Sequence, residues 1–391
     1  MLAASLLGVA CIPVAVEAQR LDLGGYALTV GTYSLESSFS EGGGTQLARL
    51  RLMSELPLGG LSLDVAYEHV VVHRPVAGGF AVTAPGGTAA GSIDWLPLDH
   101  TIRTTSRTAW RGRFDRLSLG MEAGAVTVTA GRQAISWATT LFLTPADPFA
   151  PFDPSDPFRE YRGGVDALRI QAFTGPFSEI DLVVRGAETT GGSTVTALGR
   201  FQTSRGVWAL GAWGGAVHEE LSAALFTTGA VGSTAVRAEL VVRDLEDDGA
   251  TVRGSFGLDR QFLVRGRDGY ALLEIQYDGF GARDSSDLLE VIQSKPFLRG
   301  EMQTLGRWTG AARASLQVHP LVGVDALALS NLGDGSTLVG PGVSWSATGS
   351  LSVRTGAFFA FGSDEIDEVA GLLSEYGAVP STGYLAVSWY F

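Results

Sequence analysis

Cysteine is almost absent. The one residue, Cys11, lies in a short apolar N-terminal stretch, so residues 19–391 carry no thiol. A disulfide framework and cysteine-based zinc sites are thereby excluded. Also missing is any internal run of roughly 20 apolar residues, which excludes a bundle of transmembrane helices. Charged residues make up only 18% of the chain, where soluble proteins average about 25%. Basic residues are outnumbered, 28 Lys and Arg against 41 Asp and Glu, and the net charge of −13 argues against nucleic acid as a partner. No Gly-x-Ser-x-Gly, His-Glu-x-x-His or phosphate-binding glycine loop occurs, and His218-Glu219-Glu220 lacks a second His. An enzyme is not expected, although a barrel hydrolase could draw Ser, His and an acid from distant strands. No cofactor and no metal is implied.

What is present is a weakly hydrophobic chain, 45% apolar, with 52 Gly. Apolar and polar residues alternate in segment after segment. Ile180, Leu182 and Val184 oppose Glu179, Asp181 and Arg185; Val236, Ala238, Leu240 and Val242 oppose Arg237, Glu239 and Arg243. Ala312, Ala314, Leu316 and Val318 oppose Arg313, Ser315, Gln317 and His319. A period of two is the signature of β-strand. In a soluble sandwich the apolar face would be the core; in a transmembrane barrel it faces lipid and the polar face lines the lumen.

The two chain ends favour the barrel. Residues 2–16 are apolar, and Val16-Glu17-Ala18 sets a cleavage site after Ala18, so residues 1–18 read as a secretory signal peptide. No Lys or Arg precedes the apolar core, and Gly8 stands where a lipidation signal before Cys11 would need Leu. Losing Glu17 with the signal would change the charge from −13 to −12. At the other end Leu385, Val387, Trp389 and Phe391 share one face. This ending resembles the last strand of bacterial outer-membrane barrels, whose terminal Phe is read by the barrel insertion machinery. Residues 19–391 are therefore expected to form one all-β domain, a transmembrane antiparallel up-and-down barrel in a Gram-negative outer membrane.

Short links fall at 57–60, 123–124, 174–177, 204–206, 231–233, 265–269, 319–323 and 347–350. Long ones fall at about 73–101, 138–164, 279–302 and 363–381. If the first strand rises from the periplasm, each short link is periplasmic and each long one external. The spacing predicts about 18 strands, with 16 as the alternative, provided residues 101–121 form one long strand. Residues 285–292 and 364–373 carry helical patterns inside long loops, with Ser285, Ser286 or Ser363 as caps.

The strongest local feature is Gly131-Arg-Gln-Ala-Ile-Ser-Trp137. A Pro-, Phe- and Asp-rich run follows at 144–158, and then Arg162-Gly-Gly-Val-Asp-Ala167. Its prolines cannot join a ladder, and Phe142, Phe149, Phe152, Phe158 and Tyr161 favour burial. A loop folded into the barrel mouth or lumen satisfies both; a loop packed over the barrel top is the alternative. These residues resemble a porin-like family of Gram-negative outer-membrane β-barrels. Its pattern is Gly-Arg-Gln, Trp, a Pro-x-Asp-x-Phe loop and Arg-x-Gly-x-Asp-Ala. Asn331-Leu-Gly-Asp-Gly-Ser336 is similar as well. The resemblance implies a barrel and a pore, and names no solute.

Arginines supply the candidate lining. Arg103, Arg107, Arg111 and Arg113 share one parity, and Arg49 and Arg51 repeat it. On the lipid face each would cost about 2–4 kcal/mol near the midplane, so they are expected to point inward. Arg169, Arg237 and Arg313 extend this set, and Asp153, Asp156 and Glu160 of the 138–164 loop are candidates to face it across a constriction. A salt-bridged interior without selectivity is the alternative. Asp244-Leu-Glu-Asp-Asp-Gly249 echoes the start of a calcium loop, but Ser255 stands where its Glu is required. The expected function is passive diffusion of small hydrophilic, anionic solutes. A closed barrel that displays acidic loops is the alternative.

Overall fold

The computed structural model describes residues 22–38, 41–74, 93–149, 158, 160–189, 191–245, 249–367, 371–377 and 379–391. The signal-peptide reading, Asp153, Asp156 and residues 246–248 of the acidic 244–249 segment lie outside them.

The chain closes into an 18-stranded antiparallel β-barrel. Its strands are β1 (Gly24–Ser34), β2 (Gly43–Leu58), β3 (Leu61–His73), β4 (Thr108–Ala123), β5 (Val126–Gln133) and β6 (Val165–Gly175). Next come β7 (Ser178–Thr189), β8 (Gly192–Arg205), β9 (Trp208–Val217), β10 (Glu220–Val231), β11 (Thr234–Leu245) and β12 (Gly249–Val264). The last six are β13 (Arg267–Asp278), β14 (Trp308–His319), β15 (Val322–Asn331), β16 (Thr337–Ser346), β17 (Leu351–Phe361) and β18 (Thr382–Tyr390). Each strand pairs with the next, and β18 pairs with β1 from Tyr26↔Tyr390 to Ser34↔Thr382, which closes the wall. Backbone bonds between Gly25 and Phe391 finish the seam at 2.9 and 3.0 Å.

The short links named from the sequence gather at one end of this barrel and the four long ones at the other. Exposure is inverted relative to a soluble protein. On β7 Ile180 is 37%, Leu182 48% and Val184 51% exposed, whereas Asp181 is 0% and Arg185 3% exposed. Apolar side chains on the outside and charges within are what hydrocarbon imposes, because a closed ladder satisfies every backbone group.

Two readings are corrected. Residues 101–121 do not form one strand. A short strand, Asp99–Thr104, folds back on the upper half of β4 and pairs there from Asp99↔Arg113 to Thr104↔Ala109. It fills a gap, because β5 stops at Gln133 and β6 begins only at Val165. Ile93–Asp94 closes the other side of that gap against Ala187 and Glu188 of β7. The described residues of 364–373 are not helical either: Ile366–Asp367 pairs antiparallel with Gly371–Leu372. Gly371 weakens a helix by about 1 kcal/mol, and Leu372 is instead buried against Leu288, Val291 and Met302 of the 279–307 loop. The other helical segment does form, at Leu288–Gln293 after a 3-10 turn, Ser285–Asp287. Its entry is capped by Asp284, which accepts from Ser286 N, rather than by a serine.

Candidate functional site

The Gly-Arg-Gln motif ends β5 at the point where the wall is left. Gly131 has φ +116°, and a Cβ there would lie 2.3 Å from Leu117 O, so only glycine fits. Arg132 is fully buried. It donates from Nε and Nη2 to the two Asp166 oxygens on β6 at 2.8 and 2.9 Å, and from Nη1 to Asp94 at 3.0 Å and Asp99 at 3.3 Å. It also donates to the Leu96 and Phe114 carbonyls. Arg132 and Asp166 thus tie the base of the 134–164 loop to the 93–104 segment. The two halves of the sequence motif are cross-strand partners.

The first arm of the loop, residues 134–149, runs inside the barrel past β7, β9, β11 and β13. Trp137 Nε1 donates to Asp181 at 2.9 Å, and Trp213 Nε1 donates to the Ala146 carbonyl at 3.0 Å. Ile135, Trp137, Ala146 and Phe149 join Val183, Trp213, Phe226 and other inward apolar side chains in a core that lies in the lumen. Two wall carboxylates take the backbone. Glu239 on β11 accepts from the N–H of Thr139, of Thr140 at 2.8 Å and of Ala146 at 3.0 Å. Glu274 on β13 accepts from Leu141, Phe142 and Leu143 at 2.7, 2.9 and 2.8 Å. Gln303 adds a reciprocal pair, accepting from Thr144 N at 2.6 Å and donating to Phe142 O at 2.7 Å.

The returning arm meets the opposite wall. The Phe158 carbonyl accepts from Arg49 at 3.3 Å, and its ring packs edge-on against Tyr384 of β18, centroids 5.0 Å apart. Tyr161 stacks on Tyr26 of β1 at 6.0 Å and lies under the Arg51 guanidinium at 4.6 Å. Glu160 accepts from Tyr390 Oη at 2.5 Å. Arg162 joins the arms through Asp147 at 2.6 Å. A half-turn of the barrel separates β2 from β11, so the loop is bonded to both halves of the interior. Beside the first arm, a cleft is lined by Arg185, Arg243, Arg253 and Arg299 together with Asp147 and Glu301.

The predicted arginines divide. Arg51 is buried between Glu68 and Asp115, 2.7 Å from the latter. Arg113 lies 3.2 Å from Asp115 and 3.8 and 3.9 Å from Asp99 and Asp94. Arg169 pairs with Asp181 at 2.5 Å, and Arg237 pairs with Asp259 at 2.8 Å while donating to Thr139 O at 3.2 Å. Arg313 lies over the Phe142 ring at 5.9 Å. Arg107 and Arg111 are exposed at the loop end of the wall. Arg103 is not brought to this group: a bulge at Ile102 places it opposite Trp110, on the outward face of the hairpin. The parity argument assumed an unbroken strand, and one extra residue reverses it.

Asp166 was marked by the sequence motif, but Glu239, Glu274 and Trp213 were not singled out as site residues from sequence. Alternation puts Glu239 on the polar face, but nothing local marks a carboxylate whose partners lie about a hundred residues away. The motif Asn331–Ser336 also acquires a role. Asn331 Nδ2 donates to Glu375 and Asp334 at 3.0 and 3.1 Å, and Glu375 also accepts from Leu305 N and Gly306 N. Three outer loops are thereby locked together. Full burial, together with nearby Asp334, pushes the Glu375 carboxyl up to about 7 against the pull of these donors. At the β9–β10 turn, burial and then Arg185, Arg299 and Arg243 push His218 down to about 3.

No family model matches the chain, and no curated protein matches it. Solved structures do. The chain is similar to OpdK of Pseudomonas aeruginosa, solved with vanillate, at 12% identity and TM-score 0.53 over 95% of this chain and 98% of that one. It is similar to a BenF-like porin from Pseudomonas fluorescens Pf-5 at 12% identity and TM-score 0.52, over 95% and 98%. Acinetobacter baumannii OccAB1 matches at 8% identity and TM-score 0.52, over 95% and 96%. At these identities the likeness establishes the shared barrel fold.

Proposed function

We propose that this barrel is a porin-like channel of the Gram-negative outer membrane, through which small hydrophilic solutes diffuse passively. One observation carries the reading: a closed 18-stranded wall with charged inward faces holds residues 134–149 inside its lumen on one side and Phe158 against the wall on the other. A barrel of this size encloses space that side chains alone do not fill. The loop narrows that space and sets the constriction. Anions are the favoured solutes. Arg49 and Arg313 lie near the loop, six strands apart on the wall, and four arginines line the cleft beside its first arm. One similar barrel is a BenF-like porin, and another was solved with an aromatic carboxylate, vanillate, which is compatible with such a lining.

Single-channel recording in a planar bilayer under a salt gradient tests this. Steady conductance with an anion-selective reversal potential is the expected result. The loop's bonding to both walls favours a second reading, a closed barrel that displays its outer loops. Electrical silence, relieved by deleting residues 145–158, would identify the loop as a plug. Silence of the parent, relieved or not, would overturn the passive channel.

A further inference from the structure

We infer that Glu239 and Glu274 form a latch that positions residues 139–146 of the loop, and so sets the conducting state of the lumen; this rests on the channel reading above. Other buried wall carboxylates sit against arginine: Asp115 against Arg51, Asp166 against Arg132, Asp181 against Arg169 and Asp278 against Arg253. Glu239 and Glu274 depart from that rule. Among the described residues neither forms an ion pair; their bonds run to six backbone N–H groups of residues 139–146.

An ionised carboxylate only accepts hydrogen bonds, so its two oxygens suit three convergent N–H donors. Glutamine has the same shape but turns two donors toward them. The strand ladders do not depend on either side chain: Glu239 pairs with Ser255 and Glu274 with Ala311 through backbone. The substitution therefore acts on the loop and leaves the wall intact. The latch reads backbone, so it holds residues 139–143 whatever their side chains.

The test is the Glu239→Gln, Glu274→Gln double variant. A nitroxide label is placed at Leu141→Cys, because Leu141 is 43% exposed and residues 19–391 contain no other cysteine. Glu179→Gln is the control, since Glu179 is a wall carboxylate bonded to Gln171 rather than to the loop. Heat-modifiable migration on gels verifies that each barrel is folded. The double variant is expected to conduct at least twice as much as the parent, with flickering current and a mobilised label; the control keeps parental current and mobility. A folded double variant with parental conductance and an immobile label overturns the latch. If the parent is silent, the channel reading falls, and the label alone decides: mobilisation keeps the latch as the lock of a plug, and immobility removes it.

Discussion

Arg132 is enclosed by Asp166, Asp94, Asp99 and two backbone carbonyls, with none of its surface exposed. Removing one partner of a buried ion pair leaves the others uncompensated, at a cost of about 3–5 kcal/mol. Arg132→Ala is therefore expected to destabilise the barrel by that order and to free both the 93–104 and 134–164 segments. Urea unfolding in lipid vesicles, followed by tryptophan fluorescence, measures the first effect; proteolysis of folded protein measures the second. Glu375 acts at the same scale. Unfolded, its carboxyl ionises near 4.5; in the packed loops it keeps its proton to about 7. Between those values the folded loops bind more protons, so their docking weakens as pH rises through this window. Protease resistance of the outer loops should be greater at pH 5 than at pH 8, and Glu375→Gln should flatten the difference.

Short elements show where local chemistry is strained. The β9–β10 connection uses His218 at φ 50° and Glu219 at φ 72°. Left-handed backbone costs a residue with a side chain about 1–2 kcal/mol, and glycine avoids that cost while losing more chain entropy on folding. Glu219→Gly is expected to stabilise the barrel by about 0.5 kcal/mol net, read as a higher urea midpoint. His218 is held by Thr194 Oγ1 through Nδ1, at 2.6 Å, which accounts for its retention at such a position. The element that departs most from its sequence pattern is the 364–373 segment. Its helical periodicity was genuine, but burial of Leu372 beneath the neighbouring loop won.

At the scale of the molecule the lumen's charge is distributed unevenly. Arg51, Arg113, Arg132, Arg169, Arg237, Arg243 and Arg253 are paired with carboxylates. Arg313 instead faces the Phe142 ring of the loop. Arg313→Glu is accordingly expected to shift the reversal potential toward cations, whereas Arg169→Glu, beside Asp181, should chiefly disturb folding; bilayer recording and gel migration separate the two. Period-two alternation, the spacing of turn residues and the aromatic final strand determined by themselves that the chain is a barrel, with about 18 strands in up-and-down order, because inside and outside alternate with every residue. They also marked the Gly-Arg-Gln loop as special. Only the tertiary structure decided which arginines meet acids, that a bulge turns Arg103 outward, and that Glu239 and Glu274 hold the loop. The Glu239 and Glu274 contacts join residues 93 to 133 positions apart, and a local pattern specifies the face a side chain occupies but not the partner that folding brings to it.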